Sequence, residues 1–218
     1  MKKAFTLAET LIVMGIIGVV AALTLPNLNS STGDKEKVAR VKKIYQNLTD
    51  AFGRARAVYG PIKDWPSATD CDNSQDACIK YDRLTDFLKI TKDNFHGGRF
   101  YFVNGESGKW DDLGIYNGYI LADGSVLYAA NNNLIVDIDG DNNGPRTFGK
   151  DVFVFTFDKD NDYELIPDGD NSTCFSSGNC TKWVVLNDNM DYLKADNTGK
   201  CKNNNSITLD GTTNVTCK

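Results

Sequence analysis

Six cysteines, Cys71, Cys78, Cys174, Cys180, Cys201 and Cys217, are the residues whose chemistry is easiest to name. None forms a C-x-x-C pair, and their number points to disulfides made in an oxidising compartment. Six cysteines allow 15 pairings. Local bonds 71–78, 174–180 and 201–217 are expected, because each pair brackets a polar loop. Closing a loop of about 15 residues is worth roughly 3 kcal/mol in the chain-entropy description. A second chemistry lies in alternating acids, Asp137, Asp139, Asp141 and Asn143, and again Asp158, Asp160, Asp162 and Glu164. Hard oxygen donors at that spacing suit calcium, so Asp137, Asp139, Asp141 and Asn143 form a candidate metal turn. The run departs from an EF-hand loop at its sixth position, Asn142, and its twelfth, Phe148. The same residue types also build ordinary turns.

Two further patterns lead nowhere catalytic. The stretch from Gly144 to Lys150 has phosphate-loop spacing, but Asp151 stands where Ser or Thr would hold magnesium, and a strand-like run follows. A phosphate cradle needs a helix amino terminus and no adjacent anions. The single histidine, His96, sits beside Gly97 and Gly98 with no nucleophile elbow in the chain, and reads as a loop residue. Tyr116, Tyr119, Tyr128 and Trp110 read as sheet packing. No residue is assigned a catalytic role, and a non-enzymatic protein is expected.

The amino-terminal segment is the most informative. From Phe5 to Leu25 the only charge is Glu9, and as a helix the segment would rise roughly 31 Å. That matches the hydrocarbon thickness of a bilayer, and Lys2 and Lys3 would keep its start on the cytoplasmic side. A cleaved secretory leader, cut after Ala21 or Ala22, and a plain signal anchor both compete for this segment. Neither explains Glu9, since a carboxylate deep in an apolar segment costs about 2.5–3.5 kcal/mol and normally has a task.

The run Lys3-Ala4-Phe5-Thr6-Leu7-Ala8-Glu9 resembles the processing site of type IV prepilins and type II secretion pseudopilins. The resemblance covers about an eighth of the chain. It implies cleavage between Ala4 and Phe5 by a prepilin peptidase, methylation of the new Phe5 amine, and retention of the apolar segment. Ala4 departs from the glycine usual before the cut. The resemblance further implies that Glu9 pairs with the Phe5 amine of a neighbouring copy to set register. Gly18 and Pro26 would flank a stretch able to unwind on assembly. It also implies partners: other pilin or pseudopilin subunits in a homo-polymer, the prepilin peptidase, an inner-membrane assembly platform, and membrane lipid before assembly. The corresponding location is the bacterial inner membrane, single-pass with a periplasmic head, and then a periplasmic pseudopilus or surface pilus. Acidic turns resemble those that bind calcium in major pseudopilins. The last cysteine pair resembles the disulfide-bounded region of pilins.

The elements that must position these residues can be read from periodicity. After a polar interval, Val38, Val41, Ile44, Tyr45, Leu48, Phe52, Ala55, Val58 and Tyr59 recur at three and four, predicting an amphipathic helix stopped by Gly60 and Pro61. Joined to the apolar segment, it predicts one long helix kinked near Pro26. Lys35, Lys37, Arg40, Lys42 and Lys43 read as a solvated or inter-subunit face. Residues 61–98 read as a link with helical potential from Tyr81 to Ile90. Strand-like runs follow at 99–103, 115–121, 126–130, 134–138, 152–158 and 163–166, with a further one at Trp183–Leu186. Asp123-Gly124 signals a two-residue hairpin. The tail from Asn187 reads as surface loops.

The fold expected is α+β and pilin-like. A long amino-terminal helix, half membrane and half amphipathic, packs on one face of an antiparallel meander with a disulfide-stapled, loop-rich carboxy terminus. The divisions are residues 1–4 leader, 5–26 filament-core helix, 27–60 amphipathic helix and 61–218 head. Composition agrees: 218 residues with 41% hydrophobic content can bury a core, and a net charge of −5 disfavours nucleic acid as a partner.

Overall fold

In the computed structural model the described residues are 7–65, 82–95, 99–103, 105–109, 118–130, 133–140, 144–196, 198–202, 206 and 217. For residues 21–32, 82, 93–95, 109 and 130 the description is of the backbone alone. Helix α1 spans Leu7–Tyr59 and continues through Pro26 and Gly33. The chain divides into two compact units, Met1–Glu36 and Lys37–Lys218.

Within the second unit, α1 buries the stripe foreseen by its spacing: Val38, Val41, Ile44, Leu48, Phe52 and Ala55, with Ala51 beside them. One side is apolar at three- and four-residue intervals, so one side faces the core. The helix stops where Gly60 takes a φ of 81°, its N–H donating to Arg56 O at 3.0 Å. A left-handed residue there satisfies an orphan carbonyl without a Cβ penalty. The stripe ends earlier than its spacing predicts. Tyr59 leaves the sheet to meet Phe87 edge-on, centroids 6.2 Å apart, and bonds Asp86, and Val58 stays exposed.

Six strands form an antiparallel sheet in the order β1-β4-β5-β6-β8-β9. They are β1 (Ile90–Phe95), β4 (Gly118–Leu121), β5 (Val126–Ala130), β6 (Asn133–Asp137), β8 (Val152–Asp158) and β9 (Glu164–Pro167). A smaller sheet, β3-β2-β7, joins β2 (Arg99–Tyr101) antiparallel to β3 (Ser107–Lys109) and parallel to β7 (Arg146–Thr147). The meander is therefore as expected, but the large sheet is covered on both faces. Alternation along β8 sends Phe153, Phe155 and Phe157 into the cluster shared with α1. Val152 and Val154 go into a second cluster with Phe100, Tyr128, Ile135 and Phe148. A strand buried on both sides reads as a continuous apolar run, and β8 does. Tyr45 stacks on Phe155 at 5.4 Å, and Phe52 meets Phe157 edge-on at 4.7 Å.

Several expectations are corrected. The helical potential assigned to Tyr81–Ile90 shrinks to α2, Asp82–Thr85, and Ile90 opens β1 instead. The hairpin between β4 and β5 has a three-residue loop: Gly124 N donates to Leu121 O, and Leu121 N donates to Ser125 O. Asp123 therefore sits in a turn, and Gly124, at φ 87°, is the left-handed residue that follows it. Trp183–Leu186 is not a strand but part of α4, Thr181–Asn187. Cys180, Trp183, Val184 and Asn187 are all buried, and their three- and four-residue spacing is helical, too short a run to tell from a strand by eye. Before it, α3 (Asn171–Ser177) is capped at both ends, by a box in which Asp170 accepts from Thr173 N and by left-handed Gly178. The tail beyond Asn187 is not all surface loop, because Met190 and Tyr192 are buried in and beside the turn Asp191–Lys194.

The expected single-pass placement in the inner membrane is also corrected. Among the described residues no helix is long and apolar enough to cross a membrane.

Candidate functional site

Three groups of residues were candidates, and the structure treats them differently. The first is the start of α1. Leu7, Leu11, Ile12, Val13, Met14, Ile16, Ile17, Val19 and Val20 are each at least half exposed in the single chain. Glu9 is exposed among them, and Thr10 donates its hydroxyl to Leu7 O at 2.9 Å, a local bond that keeps the polar group inside the helix. Glu9, Thr10, Val13, Met14 and Ile17 line a shallow hollow of about 210 Å³. A Cβ placed on Gly15 or Gly18 would meet nothing within 4 Å, so the helix is narrow and open at both. Pro26 lies inside the helix. Ala4 and Phe5, the expected processing and methylation residues, lie outside the described residues.

The second group is the acidic turn after β6. Asp137 is fully buried; its Oδ1 accepts from Asp139 N and Gly140 N, and its Oδ2 from Arg146 Nε at 3.1 Å. Burial and the Asp139 carboxyl push its pKa up to about 7, with Arg146 pulling the other way. Beside it, burial raises the Tyr128 hydroxyl to about 12. Asp137 thus serves as turn former and ion-pair partner. Asp141 and Asn143 lie outside the described residues, and among the described residues no group of His, Cys, Asp or Glu could hold a metal. In the second acidic run Asp158 accepts from Asp160 N, Asn161 bonds Glu164, and Asp162 pairs with Arg56.

The third group is the cysteines. Cys174–Cys180 and Cys201–Cys217 are bonded as the loop reading expects. Cys71 and Cys78 lie outside the described residues, as do His96, Trp110 and Tyr116. The phosphate-loop-like stretch contributes β7 and then turns into strand β8, with Asp151 held by Lys37.

One arrangement has no counterpart in the sequence patterning. Lys37 and Arg40, placed on a solvated face, instead clasp the head: Lys37 Nζ bonds Asp151 and Lys150 O, and Arg40 donates to Ile138 O at 3.1 Å. Lys42 pairs with Asp188. Burial raises the Asp151 pKa while Lys37 lowers it. The only available signal was their position at the start of the buried stripe, where a long basic side chain can reach a sheet end.

Comparison of the chain with protein-family models, with curated proteins and with solved structures finds no match.

Proposed function

We propose that the chain is a structural, non-enzymatic subunit of a type IV pilin-like or type II secretion pseudopilin-like filament. The observation that carries this reading is the run of nine large apolar side chains at the start of α1, exposed all around the helix in the single chain. A helix apolar on every side is stable only when covered. Covering those side chains with copies of the same helix would contribute on the order of 10 kcal/mol per copy, at about 1.5–3 kcal/mol for each one fully buried. The resemblance of residues 3–9 to the prepilin processing site supplies the rest. A prepilin peptidase frees and methylates the Phe5 amine, and that amine meets Glu9 of the adjoining copy. An acid within such a bundle then has a cation facing it, and removing either partner strands the other at a cost of roughly 3–5 kcal/mol.

Mass spectrometry of the mature protein tests the reading directly. An N-methylated Phe5 as first residue supports it. A start near Ala22 or Leu23 overturns it in favour of an exported soluble binding protein or enzyme. Glu9→Val is expected to abolish incorporation into filaments while leaving the melting of the head unchanged. Normal filament yield from that variant would refute the role given to Glu9.

A further inference from the structure

The described residues of the head form several concave surfaces. A half-open groove of about 670 Å³ lies between β2 with the Thr147–Lys150 turn and the carboxy-terminal elements. Tyr101, Phe102, Phe175 and Tyr192 supply aromatic lining, and Lys150 and Asp196 supply its charges. The groove is built in advance. Tyr192 donates its hydroxyl to Gly149 O at 2.7 Å, and the Cys174–Cys180 bond holds α3 beside it. Gly149 and Gly178 approach so closely that a Cβ on Gly149 would lie 2.5 Å from Gly178 O. A preformed wall removes ordering cost from binding.

The charges narrow the ligand. The Lys150 ammonium donates only and is exposed, and the Asp151 carboxylate within its electrostatic reach is bonded by Lys37. The Asp196 carboxylate accepts only, and its Oδ1 is fixed by Thr198 N, Thr198 Oγ1 and Lys200 N. A purely hydrocarbon ligand would offer the Lys150 ammonium no acceptor where it displaces water, which is costly. An anionic ligand would satisfy Lys150 and face Asp196. A pyranose has hydroxyls that both donate and accept, and a C–H face that lies on an aromatic ring. We propose that this groove binds a neutral oligosaccharide. It stands on the groove alone and is independent of the filament reading.

The test is saturation-transfer NMR on the full chain in detergent with cellotriose, maltotriose and chitotriose, and with trigalacturonate as anionic control. At least one neutral trisaccharide is expected to bind saturably and more tightly than trigalacturonate. Lys150→Met, at an exposed position, should weaken that binding about tenfold, the loss of one charge-assisted hydrogen bond. Tyr101→Ser should weaken it further, each variant being checked for unchanged melting. The proposal is overturned if none of the three neutral sugars binds, if trigalacturonate binds better, or if both variants bind as the parent does.

Discussion

Helix α1 contains two regions in which leucines meet opposite fates. Leu11 is 65% exposed, whereas Leu48, farther along the same helix, is 1% exposed. Around Leu11 apolar side chains occupy every face. Around Leu48 they occupy one stripe, with Lys43, Gln46, Asn47 and Asp50 on the other side. The identity of the leucine is therefore not what separates them. The later region has a sheet within its own chain, offering Phe153, Phe155 and Phe157 to the stripe. The earlier region has no such apolar surface among its described side chains, and in the filament reading its cover is another copy.

The sharpest way to break that comparison is to truncate one side chain in each region. Phe155→Ala removes a fully buried ring that Tyr45 stacks upon, and is expected to cost the head about 3–5 kcal/mol in urea unfolding. Leu11→Ala should leave head unfolding unchanged and, in the filament reading, reduce the sedimentable assembly. Equal effects on both readouts would mean that the two regions are not distinct.

Next in size is the staple of the carboxy terminus. Replacing Cys201 and Cys217 together by Ser should destabilise the head by about 3 kcal/mol, since their bond spans a sequence separation of 16. Calorimetry of the oxidised parent and the variant checks it.

A more gradual effect concerns pH. An acid whose folded pKa is raised favours the fold more when protonated than when charged. For Asp137, with an ordinary value of 3.8 and a folded value of about 7, that contribution is complete below pH 3.8 and is lost as pH rises through 7. The stability of the head should therefore fall across that window, by at most about 1.4 kcal/mol per pH unit, and melting temperatures taken across it provide the check. Asp151, raised by burial, tilts the same way. Asp170 and Asp196 lie below the ordinary range, held there chiefly by bonds from Thr173 and Thr198, and act only at more acid pH. Asp137→Asn should flatten the profile, and an unaltered slope would mean that other groups set it.

The smallest effect tests the hairpin. Gly124 has open space where a Cβ would stand but a φ of 87°. Gly124→Ala should cost about 1 kcal/mol, all of it backbone strain. A neutral result in urea unfolding would show that the loop can relax into another turn.

Much of the head was legible before its structure, and the failures have physical causes. The α1 stripe, β5 and β8 announce themselves because their periodicity runs long enough to separate 3.6 from 2. Trp183–Leu186 misled because four apolar residues fit either period. The short strands β3 and β7 carry no pattern of their own. They form because β2 lies between them and exchanges hydrogen bonds with each. Of the candidate sites, the two described disulfides were legible as local loops. The clasp of Lys37 and Arg40 on the head was not, because it joins residues 98 or more positions apart.

By itself the sequence determined that the α1 stripe is helical and that β5 and β8 are extended, where Gly60 and Gly124 punctuate the chain, and that Glu9 is the one charge between Phe5 and Leu25. Those features depend on residues within about a turn of one another, so spacing along the chain suffices to specify them. Only the tertiary structure decided that both faces of the large sheet are buried, that Asp137 lies against Arg146, and that an aromatic groove opens beside the Cys174–Cys180 bond. Each depends on which distant surfaces meet, and a local pattern stabilises many such meetings almost equally until packing selects one.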